Sequence, residues 1–556
     1  MRQAIKMSMI LTLTLVSVAA QAQFVQRLGD AVKRSAENAT VRKAEQKTEQ
    51  AVNKAIDKVT DPNTYKSEDK QENQEKREAP QSSPASPVSP SSPTSPISPI
   101  SPTSPTVILQ GDLVWERTFG NSSGMDDWTR FNSVIAVSDG SIAVGRSTSY
   151  TFGKGDWAGV SKKGTVYPDA IIVKYDNAGN IVWKKNFGGN GEDEFDAVTT
   201  VVDGIIAAGS STSIGTGDWT GAMVKDKASR GDAVIVKFDH NGNVVWKKNF
   251  GGRYSARFQS IIAVSDGIVA AGYADIWSYQ PEGSDFIGWQ QKGEREAIIV
   301  KYDFNGNVRW KKNFGAIKGN QFHSLTAVPG GIIAVGYSES DTSASYENAS
   351  FDGKSDWAGF KGKGETGNHQ ARVDRDAIIV KYDNAGNVVW KRLFGGQWND
   401  EFKSVTTVTD GIIAVGYSES ASFGAHDWAG VAGKGRWDGI IVKYDFNGNI
   451  VWKRNFGGSN EDSFSSVVAV VDGFVAAGFC GSGSFGAGDL AGLKKPAGSA
   501  VRDAVIVKFD NNGNAVWKKN YGGASHEPEY TEISVAPDGI IATGYVAQNG
   551  VVVKYK

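Results

Sequence analysis

Residues 402–417 read FKSVTTVTDGIIAVGY, and residues 439–458 read GIIVKYDFNGNIVWKRNFGG. Each stretch contains two runs of apolar residues, which predict β-strands because a strand buries alternate side chains. Asp410-Gly411 predicts a two-residue type I′ hairpin turn, with positive φ at both central positions. The second stretch has a turn at 445–449, in which Asp accepts backbone hydrogen bonds and Gly is left-handed. With a Gly-rich insert up to Trp437, the two stretches form one unit of four antiparallel strands.

This unit recurs along the chain of 556 residues, and its fourth strand always carries a tryptophan after Val or Arg. Successive copies lie 62 to 80 residues apart, at Trp115, Trp183, Trp246, Trp310, Trp390, Trp452 and Trp517. Repetition of this kind predicts an all-β ring, and we expect a seven-bladed β-propeller over residues 107–556. The first copy begins with a fourth strand at 112–119, and the last ends with a third strand at 550–556. The N-terminal strand is therefore expected to complete the last blade and remove an exposed edge.

The repeated motifs resemble the bacterial β-propeller repeat over residues 111–556. The resemblance rests on DAIIVKYD at 376–383, VVW at 388–390, FGG at 394–396 and the Asp-Gly hairpin that follows. It implies a blade order like that of WD-repeat propellers, with the strand before the Asp-Gly turn innermost and the Trp strand outermost. The resemblance implies little about activity, because propellers carry many functions.

The N-terminal region predicts export. Arg2 and Lys6 precede an apolar run at 7–20 and a small-residue site at 20–22, the pattern of a signal peptide over residues 1–22. The run is too short to span a membrane, so no span is expected after cleavage. We therefore expect a periplasmic, cell-surface or extracellular protein.

Residues 23–106 are predicted to be a separate stalk region. An apolar stripe predicts a helix within residues 23–60, and whether residues 24–60 are solvated or weakly oligomerising stays open. The charged remainder of segment 23–79 is expected to be disordered. In segment 80–106 proline occupies every third position from Pro84 to Pro105, which suits a polyproline II rod or a flexible, glycosylated linker.

Several kinds of chemistry are disfavoured by composition and spacing. The formal net charge of −1 argues against nucleic acid as a partner. The single cysteine, Cys480, excludes internal disulfides and is expected to be a buried, inert thiol. The histidines lie at no metal-ligand spacing, and the Asp-x-x-Gly-Asn turns lack the glutamate of a calcium loop, so neither metal nor cofactor is expected.

Charged and aromatic residues shared by several copies are interpreted as structural. Acidic pairs that precede inner strands are expected to cap and solvate the loops, at Asp126-Asp127, Glu192-Asp193, Asp400-Glu401 and Glu461-Asp462. Third-strand lysines are expected to snorkel, at Lys174, Lys237, Lys301, Lys381, Lys443, Lys508 and Lys554. Insert tryptophans that follow Asp are expected to pack on blade edges, at Trp157, Trp219, Trp357 and Trp428.

Function is expected where the copies differ. The inserts of the third and fourth copies are the most distinctive, and all inserts share one face with the acidic loops. The residues predicted to contact a protein or glycan partner are Trp277, Tyr279, Phe286, Trp289, Trp357 and Trp398. The main hypothesis is a non-enzymatic binding scaffold; the alternatives are a glycan lyase or hydrolase and a purely structural envelope protein.

Overall fold

The computed structural model describes residues 109–120, 127–226, 229–276, 282–316, 318–340, 355–357, 363, 374–494, 501–522 and 527–556. These residues form seven antiparallel sheets of four strands each, and neighbouring sheets contact one another in a closed ring. The predicted seven-bladed β-propeller is confirmed. The predicted signal peptide, helix and Pro/Ser stalk lie outside the described residues.

The innermost strands contact one another around the ring. They are β2 (Thr129–Val137), β6 (Asp193–Val201), β10 (Ala256–Val264), β14 (Asn320–Val328), β18 (Asp400–Val408), β22 (Asp462–Val470) and β26 (Glu529–Ala536). The second strands are β3 (Gly140–Ser147), β7 (Gly204–Ser211), β11 (Gly267–Asp275), β15 (Gly331–Ser340), β19 (Gly411–Glu419), β23 (Gly473–Gly481) and β27 (Gly539–Val546).

Third and outer strands complete each sheet. The third strands are β4 (Asp169–Asp176), β8 (Asp232–Phe238), β12 (Arg295–Tyr302), β16 (Asp374–Tyr382), β20 (Trp437–Tyr444), β24 (Arg502–Phe509) and β28 (Asn549–Tyr555). The outer strands are β1 (Leu113–Phe119), β5 (Ile181–Phe187), β9 (Val244–Phe250), β13 (Val308–Phe314), β17 (Val388–Phe394), β21 (Ile450–Phe456) and β25 (Ala515–Tyr521). Blades 1 to 6 run consecutively from β2 to β25, and blade 7 joins β26–β28 to β1.

Short 3-10 helices occur in several inserts between second and third strands. Their bounds are Gly155–Trp157, Gly217–Trp219, Ser420–Ser422, His426–Trp428, Ser482–Ser484 and Gly488–Leu490. Within the described part of the chain, no helix is long and apolar enough to cross a membrane.

The ring closes through a hairpin rebuilt from the two ends of the repeat region. β1 pairs with β28, and the backbone N–H groups of Gln110 and Asp112 donate to the Lys556 carbonyl at 3.2 and 3.0 Å. Gly111 has a φ of 77°, matching the 81° of Gly179 in the continuous hairpin of blade 1. The two ends thus reproduce the third-to-fourth-strand turn, and closure by the N-terminal strand is confirmed.

Six of the seven outer-strand tryptophans donate a hydrogen bond to the next blade. The Trp115 indole N–H donates to the Asn177 carbonyl in the next blade's turn at 3.0 Å. At the closure, Trp517 donates to the Leu109 carbonyl at 2.7 Å, so Leu109 occupies the corresponding turn position. The tryptophan that defines the repeat therefore also holds successive blades together.

The Asp-Gly turns differ from the prediction. Val408 pairs with Gly411, so the central turn residues are Thr409 and Asp410, and Asp410 does not adopt positive φ. Glycine is required for a different reason: a Cβ at Gly411 would lie 2.2 Å from the Tyr444 carbonyl oxygen of the adjacent strand. The expected type I′ geometry is wrong, and close backbone approach replaces it as the cause of the glycine.

In the turns between third and fourth strands, the aspartate carboxylate accepts hydrogen bonds from residues of the same turn. Asp176 accepts hydrogen bonds from the Ala178 and Asn180 backbone N–H groups at 2.9 and 2.8 Å and from the Asn180 side chain at 3.0 Å. These bonds lower the pKa of Asp176. Among the described residues, no group of three or more His, Cys, Asp and Glu side chains is placed to hold a metal ion.

Candidate partner-binding site at the inner rim of the insert face

The propeller has two chemically different faces. The turn face carries the hairpins that follow first and third strands, and the insert face carries the inserts and the loops that lead into the inner strands. The inner rim is the set of residues near the insert-face ends of the inner and second strands. One inner-strand position of the rim varies between blades among Arg, Glu, Gln and Ser, and holds Arg130, Glu194, Arg257, Gln321, Glu401, Ser463 and Glu529.

Glu194 is the centre of an ionic cluster across blades 1 to 3. Its carboxylate accepts from the Asn132 side chain at 2.8 Å and lies 2.7 Å from the Arg257 guanidinium and 3.3 Å from Arg146 Nε. Arg257 also pairs with Asp196. Burial raises the pKa of Asp196 to about 7, against the opposing effect of Arg257. The rim side chains of these blades are thus fixed by contacts with their neighbours.

Glu401 is the corresponding centre in blades 4 and 5. It is 1 % exposed, receives Arg375 at 2.6 Å and Lys403 at shorter range, and lies 3.6 Å from His323. Burial opposes ionisation of Glu401, but Lys403 and His323 hold its pKa well below its usual range. Burial, assisted by Lys403, lowers the pKa of His323. Glu401 is therefore a carboxylate anchored in ion pairs.

Arginines stack on aromatic rings around the rim. The Arg295 guanidinium lies 4.2 Å from the Tyr273 ring centroid, and Arg375 lies 4.4 Å from Tyr337. Other rim pairs are Arg502 on Phe479 at 4.5 Å, Arg130 on Tyr545 at 4.6 Å, Arg146 on Trp128 at 4.8 Å, and Tyr417 on Trp437 at 5.1 Å. Such stacking suits the planar guanidinium and orders its side chain.

Two adjacent clefts open at the rim. The larger, about 480 Å³, lies between blades 3 and 4 and is lined by residues that include Arg230, Tyr254, Glu294, Arg295, Tyr337 and Arg375. The smaller, about 140 Å³, is lined by residues that include Arg146, Glu194, Ser210, Arg230, Arg257 and Tyr273. Arg230 lines both clefts and is itself exposed.

The aromatic residues predicted to bind a partner lie in different environments. Phe286 and Trp357 are buried and pack against Phe250 and Phe314, with ring centroids 5.5 and 5.2 Å apart. Trp289 is half-buried and lies 5.3 Å from Phe286. Trp398, which is 38 % exposed, lies in the loop that leads into β18. Trp277 and Tyr279 lie outside the described residues.

Most repeated acidic pairs have one member locked into the fold. Asp193 accepts from Ser211 at 2.5 Å, from Ser213 at 2.6 Å and from the Trp219 indole at 3.0 Å. Asp400 makes the same kind of contact with Trp428, and burial raises the pKa of Asp400 to about 7. Asp126 lies outside the described residues. These hydrogen bonds hold the inserts on the inner strands.

The rim stacks were missed by sequence reasoning. Their signal is the residue that follows glycine near the end of each second strand: Arg146, Ser210, Tyr273, Tyr337, Tyr417, Phe479 and Tyr545. This position is aromatic in five copies and is Arg146 or Ser210 in the other two, while the glycine before it is repeated, a pattern that comparison of the seven copies would have shown.

Comparisons with known proteins give little information on function. No family model matches the chain. A curated relative, "Regulatory protein FlaEY" of Caulobacter vibrioides (strain ATCC 19089 / CIP 103742 / CB 15), is 24 % identical over 231 residues, 41 % of this chain and 22 % of that protein. The match thus spans about a fifth of the relative's length.

Three solved structures align with this chain at low sequence identity. U3-55K aligns with TM-score 0.37 and 6 % identity over 79 % of this chain and 98 % of that one. The RRP9 WD40 repeats align with TM-score 0.39 and 5 % identity over 81 % and 99 %. The WD40 propeller domain of Doa1 aligns with TM-score 0.38 and 10 % identity over 79 % and 96 %. The blade assignment rests on the strand pairing of this chain itself.

Proposed function

We propose that the protein is a non-enzymatic binding scaffold whose insert face takes a protein or glycan partner at the inner rim. The proposal rests on the contrast between the inner rim, where residues differ between blades, and the turn face, where the motifs are repeated. The same inner-strand position holds Arg257, Gln321 and Glu401 in three successive blades, whereas the turn-face motifs recur almost unchanged. A closed ring gathers these differences on one surface, where they form a single asymmetric site.

The ordered arginines of the inner rim suit recognition of a partner. Arg295 and Arg375 are each stacked on a tyrosine and paired with a carboxylate, so their guanidinium groups are ordered without a ligand. Ordered side chains lose little conformational freedom on binding, which favours affinity. Exposed Arg230, beside both clefts, adds a donor that a partner's carboxylate, hydroxyl or carbonyl oxygens could accept from.

The ion pairs of Glu401 argue against the alternative hypothesis, in which the protein is a glycan hydrolase. Glycan hydrolysis needs a carboxyl group that donates a proton. Glu401 has a lowered pKa and is held by Arg375 and Lys403, which suits an anchor. This arrangement supports the binding proposal over a hydrolase centred on the most buried rim carboxylate.

We propose in addition that the protein is exported. The support for export is the signal-peptide pattern of residues 1–22, in which Arg2 and Lys6 precede an apolar run and a small-residue site. Export is tested by N-terminal sequencing of the secreted chain, which should begin at residue 23.

Site-specific photocrosslinking tests the binding proposal. A benzophenone amino acid at Arg230 of the full chain should crosslink to a partner of defined mass in the native host. The matched control is the same amino acid at Val471, which is 68 % exposed on the turn face and should give no such product. Crosslinking from Val471 and not from Arg230 would overturn the assignment of the insert face.

A further inference from the structure

One position of the rim is occupied by an aromatic ring in most blades and is vacant in blade 2. In register with Tyr273 of blade 3, which pairs with Ala297, blade 2 has Ser210, which pairs with Ala233. The rings at this position are Tyr273, Tyr337, Tyr417, Phe479 and Tyr545, and blade 1 has Arg146. Blade 2 therefore lacks the ring that blades 3 to 7 place at the rim.

The residue that stacks on this ring is also missing from blade 2. Arg295 and Arg502 begin the third strands of blades 3 and 6, and Arg375 is the second residue of the third strand of blade 4. The corresponding position of blade 2 is Gly231, immediately before β8. A serine and a glycine thus stand where other blades carry a stacked pair.

The missing pair leaves a space of defined size. The smaller rim cleft, about 140 Å³, is lined by Ser210 and Gly231, with Arg146, Arg257 and Tyr273 around them. A cavity of about 150 Å³ in another protein is large enough to bind benzene. The space is therefore the size of one aromatic ring.

The charges around the space favour a neutral ring over a charged group. Arg146 and Arg257 both line it, and both are held by Glu194, at 3.3 and 2.7 Å. The lining also includes Arg230, Glu192 and Asp193, so an ammonium group would meet three guanidinium groups and a carboxylate would meet three other carboxylates. An aromatic ring avoids both repulsions, since its face attracts a guanidinium group. Among the described residues, Arg257 Nε has no hydrogen-bond partner, which leaves this guanidinium incompletely satisfied.

We infer that this space, the blade-2 slot lined by Arg146, Ser210, Gly231, Arg257 and Tyr273, receives an aromatic side chain of a polypeptide partner. The inserted ring takes the place that Tyr273 and Tyr337 occupy in their own blades and completes the series of stacks around the rim. The inference rests on the proposed function and deepens it, because it names the group that the insert face recognises.

Saturation-transfer NMR on the full-length protein tests the chemistry of the slot. The probe is N-acetyl-tyrosinamide, and its matched control is N-acetyl-cyclohexylalaninamide, which has a saturated ring of similar size. We expect saturation of the aromatic protons at millimolar probe and an affinity at least tenfold above that of the control. Equal affinities, or no transfer to the tyrosine probe, would overturn the inference.

Filling the slot tests its location. Ser210→Tyr should reduce probe affinity at least tenfold, because the new ring occupies the space, whereas Ser210→Ala should bind as the wild type does. Should Ser210→Tyr fail to fold, Ser210→Leu fills the same space with a smaller side chain and is read in the same way. Undiminished probe binding by the folded filled variant would overturn the inference.

The crosslinking readout separates this inference from the proposed function. If the partner still crosslinks to Arg230 in the filled variant at wild-type yield, the insert face binds it without the slot, and only the slot assignment fails. If the wild type crosslinks to no partner from Arg230 but the probe binds and is displaced by Ser210→Tyr, the proposed function fails and the aromatic slot stands. Loss of crosslinking in Ser210→Tyr but not in Ser210→Ala supports both.

Discussion

The turn face and the insert face are built from the same strands but differ in how strictly they repeat. On the turn face, Lys443 lies 2.8 Å from Asp410, and the same pairing recurs at Lys174–Asp139, Lys237–Asp203, Lys301–Asp266, Lys508–Asp472 and Lys554–Asp538. On the insert face, the rim position of the inner strands varies among Arg, Glu, Gln and Ser. The difference indicates that the fold constrains the residues of the turn face more closely than those of the rim.

Blade 4 shows that the turn face tolerates the loss of one lysine–aspartate ion pair. Gly330 replaces the turn aspartate there, and Lys381 donates instead to the Phe446 carbonyl of the next blade at 3.3 Å. The half-buried Lys381 ammonium group thus finds another hydrogen-bond acceptor when the aspartate is absent. The ring is thus held by many similar contacts, few of which are individually indispensable.

Removal of β1 is expected to have the largest effect, because it opens the ring for both faces. A chain that begins at residue 120 loses Phe119, which packs 4.9 Å from Trp157, and the acceptor of Trp517 at Leu109. We expect loss of cooperative unfolding or a fall in unfolding free energy of more than about 5 kcal/mol. A chain beginning at residue 107 is the control, and equal melting curves for the two would contradict closure by β1.

Substitution of two tryptophans near the insert face should distinguish a buried, structural aromatic residue from an exposed one by the loss of unfolding free energy. Trp428 is buried and donates to Ser418 at 3.0 Å, so Trp428→Ala should cost about 3–5 kcal/mol. Trp398→Ala should change unfolding free energy by about 1 kcal/mol or less because the side chain is 38 % exposed. Urea denaturation measures both values; comparable losses would show that Trp398 is also a packing residue.

The pH dependence of stability should differ between the faces. Burial raises the pKa of Asp400 to about 7, so its neutral form stabilises the fold at low pH, and that contribution is lost as the pH rises from about 4 to 7. Asp176 on the turn face has a lowered pKa, so its contribution is lost only as the pH falls below the ordinary aspartate range. Asp400→Asn should therefore gain stability relative to wild type between pH 4 and 7, as measured by melting temperature. The Asp176→Asn variant, used for comparison, should show a constant deficit over that range, and an unchanged profile in Asp400→Asn would refute the assignment.

The smallest effect is expected on the turn face. Asp410→Asn removes one ion pair in which Asp410 is 68 % exposed, and such pairs contribute about 1 kcal/mol or less. Lys443 can then find a carbonyl acceptor, as Lys381 does. A loss of several kcal/mol in thermal or urea unfolding would show that the turn-face pairs are more than redundant contacts.

The fold was predictable from the sequence because each copy of the repeat contains the patterns of its strands and turns. The incomplete first and last copies also indicate how the ring closes. The strand series, the turns at Asp445 and the completion of the last blade were all predictable from local pattern. Turn geometry at Asp410-Gly411 was not, because the glycine responds to a neighbouring strand that local sequence does not show.

The candidate site was less predictable because it depends on contacts between blades. The Asp-Trp pattern predicted that Trp357 packs on a blade edge, but local sequence does not show that its partner is Phe314 of the preceding blade. Arg375 reaches Glu401 of the following blade, so their pairing appears only once the ring is assembled. Comparison of equivalent positions between copies would have found the rim, although it would not have given the partners of each side chain.

Deuterium exchange of the full-length protein, alone and with the partner recovered by crosslinking, tests the central claim most directly. The account predicts slower exchange at the rim ends of β6, β7 and β10, around Glu194, Ser210 and Arg257, and unchanged exchange at the Asp410 and Asp472 turns. Protection of those turns with unchanged exchange at the rim would contradict the claim that the divergent face is the binding face.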